Sequence, residues 1–285
     1  MKIFYSPKCL EYGQPGHPES PERARQTYEF LEAQGYEFVE PASCKDDDIL
    51  LAHSQELLDS VKGGSFFDFD TPAYPGIFDI AMLSAGSAVD AMLQCLNSGE
   101  KAFSLMRPPG HHATRNELGG FCYFNNIAIA SIKAQKEVPT VNRVAIVDFD
   151  CHHGNGTEDV MLGKKDFLYL SLHQSPLYPG TGLKSRDNCI NLPVSSSTGP
   201  DQYISLFKEG LKQVERFNPD LIAVSAGFDS YKLDPITSLT LELQTYRDIG
   251  RLLAGLKKPA FAILEGGYSR DLPECIFQFL QGIEE

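Results

Sequence analysis

Six short, nearly continuous apolar runs punctuate this chain, and segments of helical periodicity fall between them. The runs are KIFYS near the start, AFSLM at 102–106, RVAIVDFD at 143–150, FLYLSLH at 167–173, LIAVSAGFD at 221–229 and AFAILEGGY at 260–268. A strand with one wet face alternates apolar and polar residues. A strand covered on both faces reads as an unbroken apolar run, the pattern of a parallel sheet between helices. Ser20-Pro21 supplies a cap and first-turn proline for a helix ending near Gly35. Further helices are predicted over 77–97, 125–136, 201–217 and 241–256. The alternation predicts an α/β fold of three layers, a mainly parallel sheet flanked by helices. A chain of 285 residues could form one large domain or two small ones. No Pro/Ser-rich linker, low-complexity tract or internal repeat divides it, which favours a single domain over 1–285.

In an open parallel sheet the carboxyl ends of the strands share one edge, and ligands bind there. The residues following each run are therefore the informative ones. AFSLM leads into His111 and His112, and RVAIV into Asp148, Asp150, His152 and His153. FLYL is followed by Ser171 and His173, LIAVSAGF by Asp229, and AFAIL by Glu265-Gly-Gly-Tyr268. Five of the seven histidines fall at these ends, and only His17 and His53 lie elsewhere. One such histidine alone is best explained by a hydrogen bond to a backbone carbonyl. Five of them beside three aspartates call for more.

Side chains alternate across a strand, so Asp148, Asp150 and His152 project to one face while Phe149 and Cys151 point to the other. Asp150 and His152 are roughly 6–7 Å apart along the backbone, within reach of one cation. Asp229, from another strand end, can supply a third ligand. Three protein ligands leave positions open for water and substrate, which is the catalytic arrangement. Two carboxylates and an imidazole suit Zn²⁺, and the same set would hold Fe²⁺, Mn²⁺ or Co²⁺.

Charge and cysteine content narrow the class. With 25 basic against 38 acidic residues, the net charge of −13 argues against direct nucleic-acid binding. It would welcome a cationic substrate, although moderate acidity serves solubility equally well. The amino terminus, MKIFYSPKC, lacks a signal-like apolar stretch, and no run reads as approaching membrane-spanning length. A cytoplasmic protein without membrane association is expected. Seven cysteines, an odd number with no CxxC pair, read as reduced and mostly buried thiols.

RPPGHHA, GGFCYFNN, VDFDCHHGNG, SLHQSPLYPGTG, SAGFD and LEGGY, in this order, resemble the histone deacetylase family and its bacterial acetylpolyamine amidohydrolase relatives. The likeness runs from HPESPER at 17–23 through LEGGYSRD. It implies the arginase/deacetylase fold and one catalytic zinc ion on Asp150, His152 and Asp229. It also implies that His112 takes a proton from the attacking water and later delivers one to the leaving amine. His111 would be held by Asp148, and His112 oriented by Asn155, where many members carry Asp. An amide orients the ring without adding the charge that raises its pKa. Tyr268 would donate to the developing oxyanion, and its two preceding glycines suit close approach to a ligand.

By the same resemblance, Gly120, Phe121 and Tyr178 would line a tunnel for the methylene stem of the substrate. Without the family, both aromatics would be assigned to the core. Asp70 would bind substrate at the rim, a turn residue being an almost equal reading. Asp148 and Ser171 would hold a structural K⁺, and Arg23 would line an inner channel. The implied substrate is an acylated lysine, with an acetylated polyamine as the alternative. Polyamine-selective members place an acidic residue after the Asp-Pro that follows SAGFD, whereas Asp234-Pro235 here precedes Ile236. An arginase-like two-manganese enzyme would need a further carboxylate that HHGN lacks. A silent acyl-lysine binder would be expected to lack Tyr268 or one paired histidine. No oligomeric state follows from the sequence.

Overall fold

A computed structural model describes residues 1–285. In chain order the elements are β1 (Lys2–Phe4), α1 (Pro21–Ala33), β2 (Glu37–Val39), α2 (Asp46–Ile49), α3 (Gln55–Gly63), α4 (Ile77–Ser98), β3 (Ala102–Ser104) and α5 (Asn126–Glu137). They continue with β4 (Val144–Asp148), α6 (Asn155–Met161), β5 (Phe167–Gln174), β6 (Cys189–Val194), α7 (Pro200–Phe217), β7 (Leu221–Ala226), α8 (Leu243–Gly255), β8 (Ala260–Leu264) and α9 (Leu272–Glu284).

All eight strands join one sheet in the order β2-β1-β3-β8-β7-β4-β5-β6. Every pairing is parallel. The six apolar runs are the inner strands β3, β8, β7, β4 and β5 together with β1. The sequence reading missed β2 and β6, the two edge strands. Each has partly exposed positions and so lacks the continuous apolar signature of a strand buried on both faces. α4, α5 and α6 pack on one side of the sheet, and α1, α7, α8 and α9 make up the other layer. One continuous cluster of buried apolar residues includes members of both layers and of the sheet, which makes this one folding unit.

Several local expectations change. Ser20 occupies the N-cap position of α1 but makes no capping hydrogen bond, so Pro21 is the stronger start signal. Asn125 does cap α5, accepting from the Ala128 backbone at 3.0 Å. The run after β4 leaves the ladder at Asp148, and Phe149 to Asp150 belong to the following loop. The expectation that no segment approaches membrane-spanning length is also corrected. α4 is long and apolar enough by length and composition, yet it is largely buried against α5, β1, β3 and β8. Its apolar residues surround the helix because the protein surrounds it.

β4 places the site by splitting its end between two environments. Phe149 turns toward the α8–α9 layer, where its ring meets Phe279 at 5.3 Å and Phe228 at 5.7 Å between centroids. Tyr246 closes this aromatic cluster, donating its hydroxyl to the Phe228 carbonyl at 3.0 Å. All four rings are essentially inaccessible to solvent. Phe279→Ala should therefore cost about 3–5 kcal/mol, read as a lower denaturant midpoint at unchanged m-value. A loss under about 1 kcal/mol would show that the cluster does not brace the end of β4.

Candidate metal centre

The geometry is built where β4, β7 and β8 end together. Asp148 pairs in register with Ser171 on β5 and Ser225 on β7. The next residues fold over the sheet edge and bring Asp150 and His152 to Asp229, which follows β7. His152 Nδ1 lies 3.1 Å from Asp150 Oδ1 and 2.8 Å from Asp229 Oδ2, and one donor atom from each of the three lies within 4.8 Å of the others. All three residues are buried.

Backbone amides orient both carboxylates. Asp150 accepts from the His152 and Gly266 amides at 2.8 and 2.7 Å, and Asp229 accepts from the Cys151 amide at 2.8 Å. Two glycines make that approach sterically feasible. A Cβ on Gly266 would stand 2.6 Å from both the Asp150 and Asp229 carboxylates, and one on Gly227 would collide with Asp150. Electrostatics remain strained. Burial, with Asp150 beside it, pushes Asp229 up to about 7. Against the effect of its own burial, Asp150 is held below the ordinary carboxylate range by His111 and His152.

The paired histidines sit beside this group with distinct partners. His111 Nδ1 is 3.1 Å from Asp148 Oδ2, and His112 Nδ1 is 2.8 Å from Asn155 Oδ1. Burial alone would lower His111, but Asp150, Asp148 and Glu265 raise it to about 10. His112 is driven well below its usual value by burial, reinforced by His111 and His152. The Asn155 amide nitrogen faces the His112 carbonyl at 3.4 Å, which leaves its oxygen to accept from the ring. The proton of neutral His112 therefore resides on Nδ1, and Nε2 is the free base.

A cavity of about 180 Å³ leads to these groups. Phe121, Tyr178, Gly120 and Ile236 line it, with buried His112 and His152 at depth and exposed Asp70 at the mouth. Phe121 adopts φ 71°, an uncommon conformation for an aromatic residue, and its amide donates to Thr71 Oγ1 at 2.9 Å. The Tyr268 ring lies edge-on to Phe121 at 5.9 Å and under the Arg23 guanidinium at 4.8 Å. Desolvation raises the Tyr268 hydroxyl well above the ordinary phenol value, keeping it an O–H donor.

Ser171 stands in register beside Asp148, but its hydroxyl pairs with His173 Nδ1 at 2.8 Å. Both Asp148 oxygens are engaged as well, one by the Asp150 amide at 3.1 Å and the other by Tyr169 at 2.9 Å and His111.

The supporting roles of three groups escaped the sequence reading. Asp234 accepts from the Tyr268 amide at 2.7 Å and the Ile236 amide at 3.1 Å, joining the tyrosine loop to the cavity wall. Glu265 receives the Gly110 amide at 2.7 Å and the Ser225 hydroxyl at 3.0 Å, and so holds the turn that carries His111. Glu19 bridges Arg23 at 3.0 Å and Arg107, both of them buried. Glu265 carried a signal because it directly follows an apolar run, whereas Asp234 stands beyond the run that ends at Asp229. Glu19 and Arg107 lie 88 positions apart and only the fold joins them.

Residues 17–283 match the family profile described as the histone deacetylase domain. A Pseudomonas aeruginosa protein named histone deacetylase-like amidohydrolase is 35% identical over 94% of this chain and 78% of its own length. A protein of Archaeoglobus fulgidus named "Probable deacetylase" is 38% identical over 94% of this chain and 81% of its own. The solved structure of an acetylpolyamine aminohydrolase from Burkholderia pseudomallei superimposes with a TM-score of 0.92 at 26% identity, covering 99% of this chain and 98% of that one. The eight-stranded parallel sheet has the arginase/deacetylase architecture of that neighbour. On the profile match, these identities and the shared fold, the chain belongs to the histone deacetylase family.

Proposed function

We propose that this protein is a metal-dependent deacetylase that removes acetyl or similar short acyl groups from an amine at the end of an aliphatic chain, with residues 1–285 working as one catalytic unit. The observation that carries the reading is the convergence of the Asp150–His152–Asp229 donors, the His111–His112 pair and Tyr268 at one tunnel-like cavity. Two desolvated carboxylates and an imidazole nitrogen fit a divalent cation, which would offset the burial and the Asp150 repulsion that together raise Asp229. Zn²⁺ suits this donor set, and Fe²⁺, Mn²⁺ or Co²⁺ would be held by it as well. When bound, such an ion supplies Lewis acidity, polarising the amide carbonyl and acidifying water.

The remaining chemistry belongs to the chain. His112 Nε2 takes a proton from the attacking water and later hands one to the departing amine, while Asn155 holds the ring. His111, paired with Asp148, supports His112 from 4.0 Å away between ring centroids. Tyr268 O–H donates to the oxygen that gains negative charge, with Asp234 and Arg23 fixing its loop. Phe121 and Tyr178 sheath the methylene stem, Gly120 leaves room beside them, and Asp70 receives polar groups at the rim.

The preferred substrate is acyl-lysine. An acetylated polyamine is the second reading, favoured by the Burkholderia neighbour and opposed by apolar Ile236 at the cavity wall. Asp148 and Ser171 are proposed to adjoin a structural K⁺ beneath the site. Seven free, buried cysteines suit a reducing compartment such as the cytoplasm.

Two measurements test the assignments. Tyr268→Phe should lower kcat on an acetyl-lysine reporter by about 10²–10³, and a rate equal to the parent would remove the oxyanion role. Asn155→Asp places a negative charge against His112 and should raise its pKa by about one to three units. Because the base acts when neutral, the acid limb of the kcat/KM profile should move to higher pH. An unmoved limb would mean that His112 is not the titrating base.

A further inference from the structure

The large apolar side chains that remain exposed are Phe67, Phe69, Tyr178, Leu183, Leu233 and Ile236. All of them lie on three loops, and each loop contributes a cavity residue: Asp70, Tyr178 or Ile236. Scattered exposed apolar groups are ordinary, but confinement to the loops that line one opening marks an interaction surface. Phe67 and Phe69 are 94% and 85% exposed. Their loop is nevertheless pinned to the tunnel wall, since Thr71 accepts from the Phe121 amide and the Pro72 carbonyl accepts from Tyr123 at 2.6 Å.

Beside the mouth runs a groove of about 490 Å³, where Phe66, Phe67 and Leu118 alternate with the carboxylates of Glu56, Asp68 and Glu117. No cationic side chain lines it. Asp68 links it to the tunnel, because the space above Gly119 is bounded by Asp68 Oδ2 at 3.6 Å and the Tyr178 hydroxyl at 3.8 Å.

We propose that this groove binds the backbone and side chains flanking an acylated lysine, and selects peptide substrates that carry an apolar residue and a Lys or Arg beside it. The inference rests on the deacetylase reading above and names its substrate class. A linear polyamine fills the tunnel but has no side chain to cover Phe67. An anionic membrane or a second copy of this chain, with its net charge of −13, would bring like charges against the three carboxylates. A basic, apolar peptide satisfies both components of the surface.

The test compares kcat/KM for two acetyl-lysine peptides, one flanked by Phe and Arg and the other by Gly and Glu, with an N-acetylated diamine as the third substrate. The Phe/Arg peptide should exceed the Gly/Glu peptide by about tenfold or more, the scale of burying one aromatic side chain. Phe67→Ser and Glu117→Lys should each bring that ratio toward one. The ratio is taken within each variant, so a loss of folded protein cancels. Peptide rates within about twofold of each other in the parent, or a ratio unmoved by both substitutions, overturns the proposal. So does a Phe67-dependent dimer in sedimentation with the ratio unmoved, which would assign the surface to self-association. Turnover of the diamine with no preference between peptides sinks this inference alone. No turnover of any of the three sinks the deacetylase reading with it.

Discussion

Two carboxylates, Asp150 and Asp229, are buried side by side with an imidazole between them, and everything around them is arranged to hold that costly juxtaposition. Desolvated like charges repel strongly, and the rise of Asp229 to about 7 records the tension. Backbone amides relieve part of it. The rest is the electrostatic opening for a divalent cation. Gly227 and Gly266 matter for the same reason, since any side chain there would occupy the space the carboxylates need. The parallel sheet supplies the means: its strands end at one edge, so residues distant in sequence meet there.

Rigidity behind the site comes from opposite directions. On one side, Phe149 anchors the end of β4 in an aromatic cluster with Phe228, Tyr246 and Phe279. On the other, polar side chains tie one loop to another. Asp234 couples the Tyr268 loop to the Ile236 wall, Glu265 holds the His111 turn, and Arg23 donates to the Gly267 carbonyl at 2.6 Å. Groups that must meet a substrate within a fraction of an ångström are thus held by partners that do not touch it.

Much of this is legible in the sequence. The inner strands announce themselves because burial on both faces demands unbroken apolar sequence. The strand-end rule then gathers Asp150, His152, Asp229 and the paired histidines at one edge. Edge strands β2 and β6 lack that signature, being partly exposed. α4 shows the opposite failure: composition alone does not distinguish a helix surrounded by protein from one surrounded by lipid. Ser20 has the residue type of a cap, yet its side chain makes no capping bond, and Pro21 carries the start signal instead. The long-range partners of Glu19 were hidden because nothing local to HPESPER indicates Arg107. The cavity aromatics were legible only through resemblance, since Phe121 and Tyr178 carry no pattern that separates a lining residue from a core one.

Asp150, His152 and Asp229 are proposed to hold one divalent ion between them. X-ray absorption at the zinc edge of zinc-loaded protein addresses it directly. The expected spectrum contains only oxygen and nitrogen donors near about 2.0–2.2 Å, an imidazole contribution from His152, and one ion per chain. Sulfur scattering near about 2.3 Å, or an ion whose environment is unchanged when Asp150, His152 and Asp229 are replaced, would contradict it.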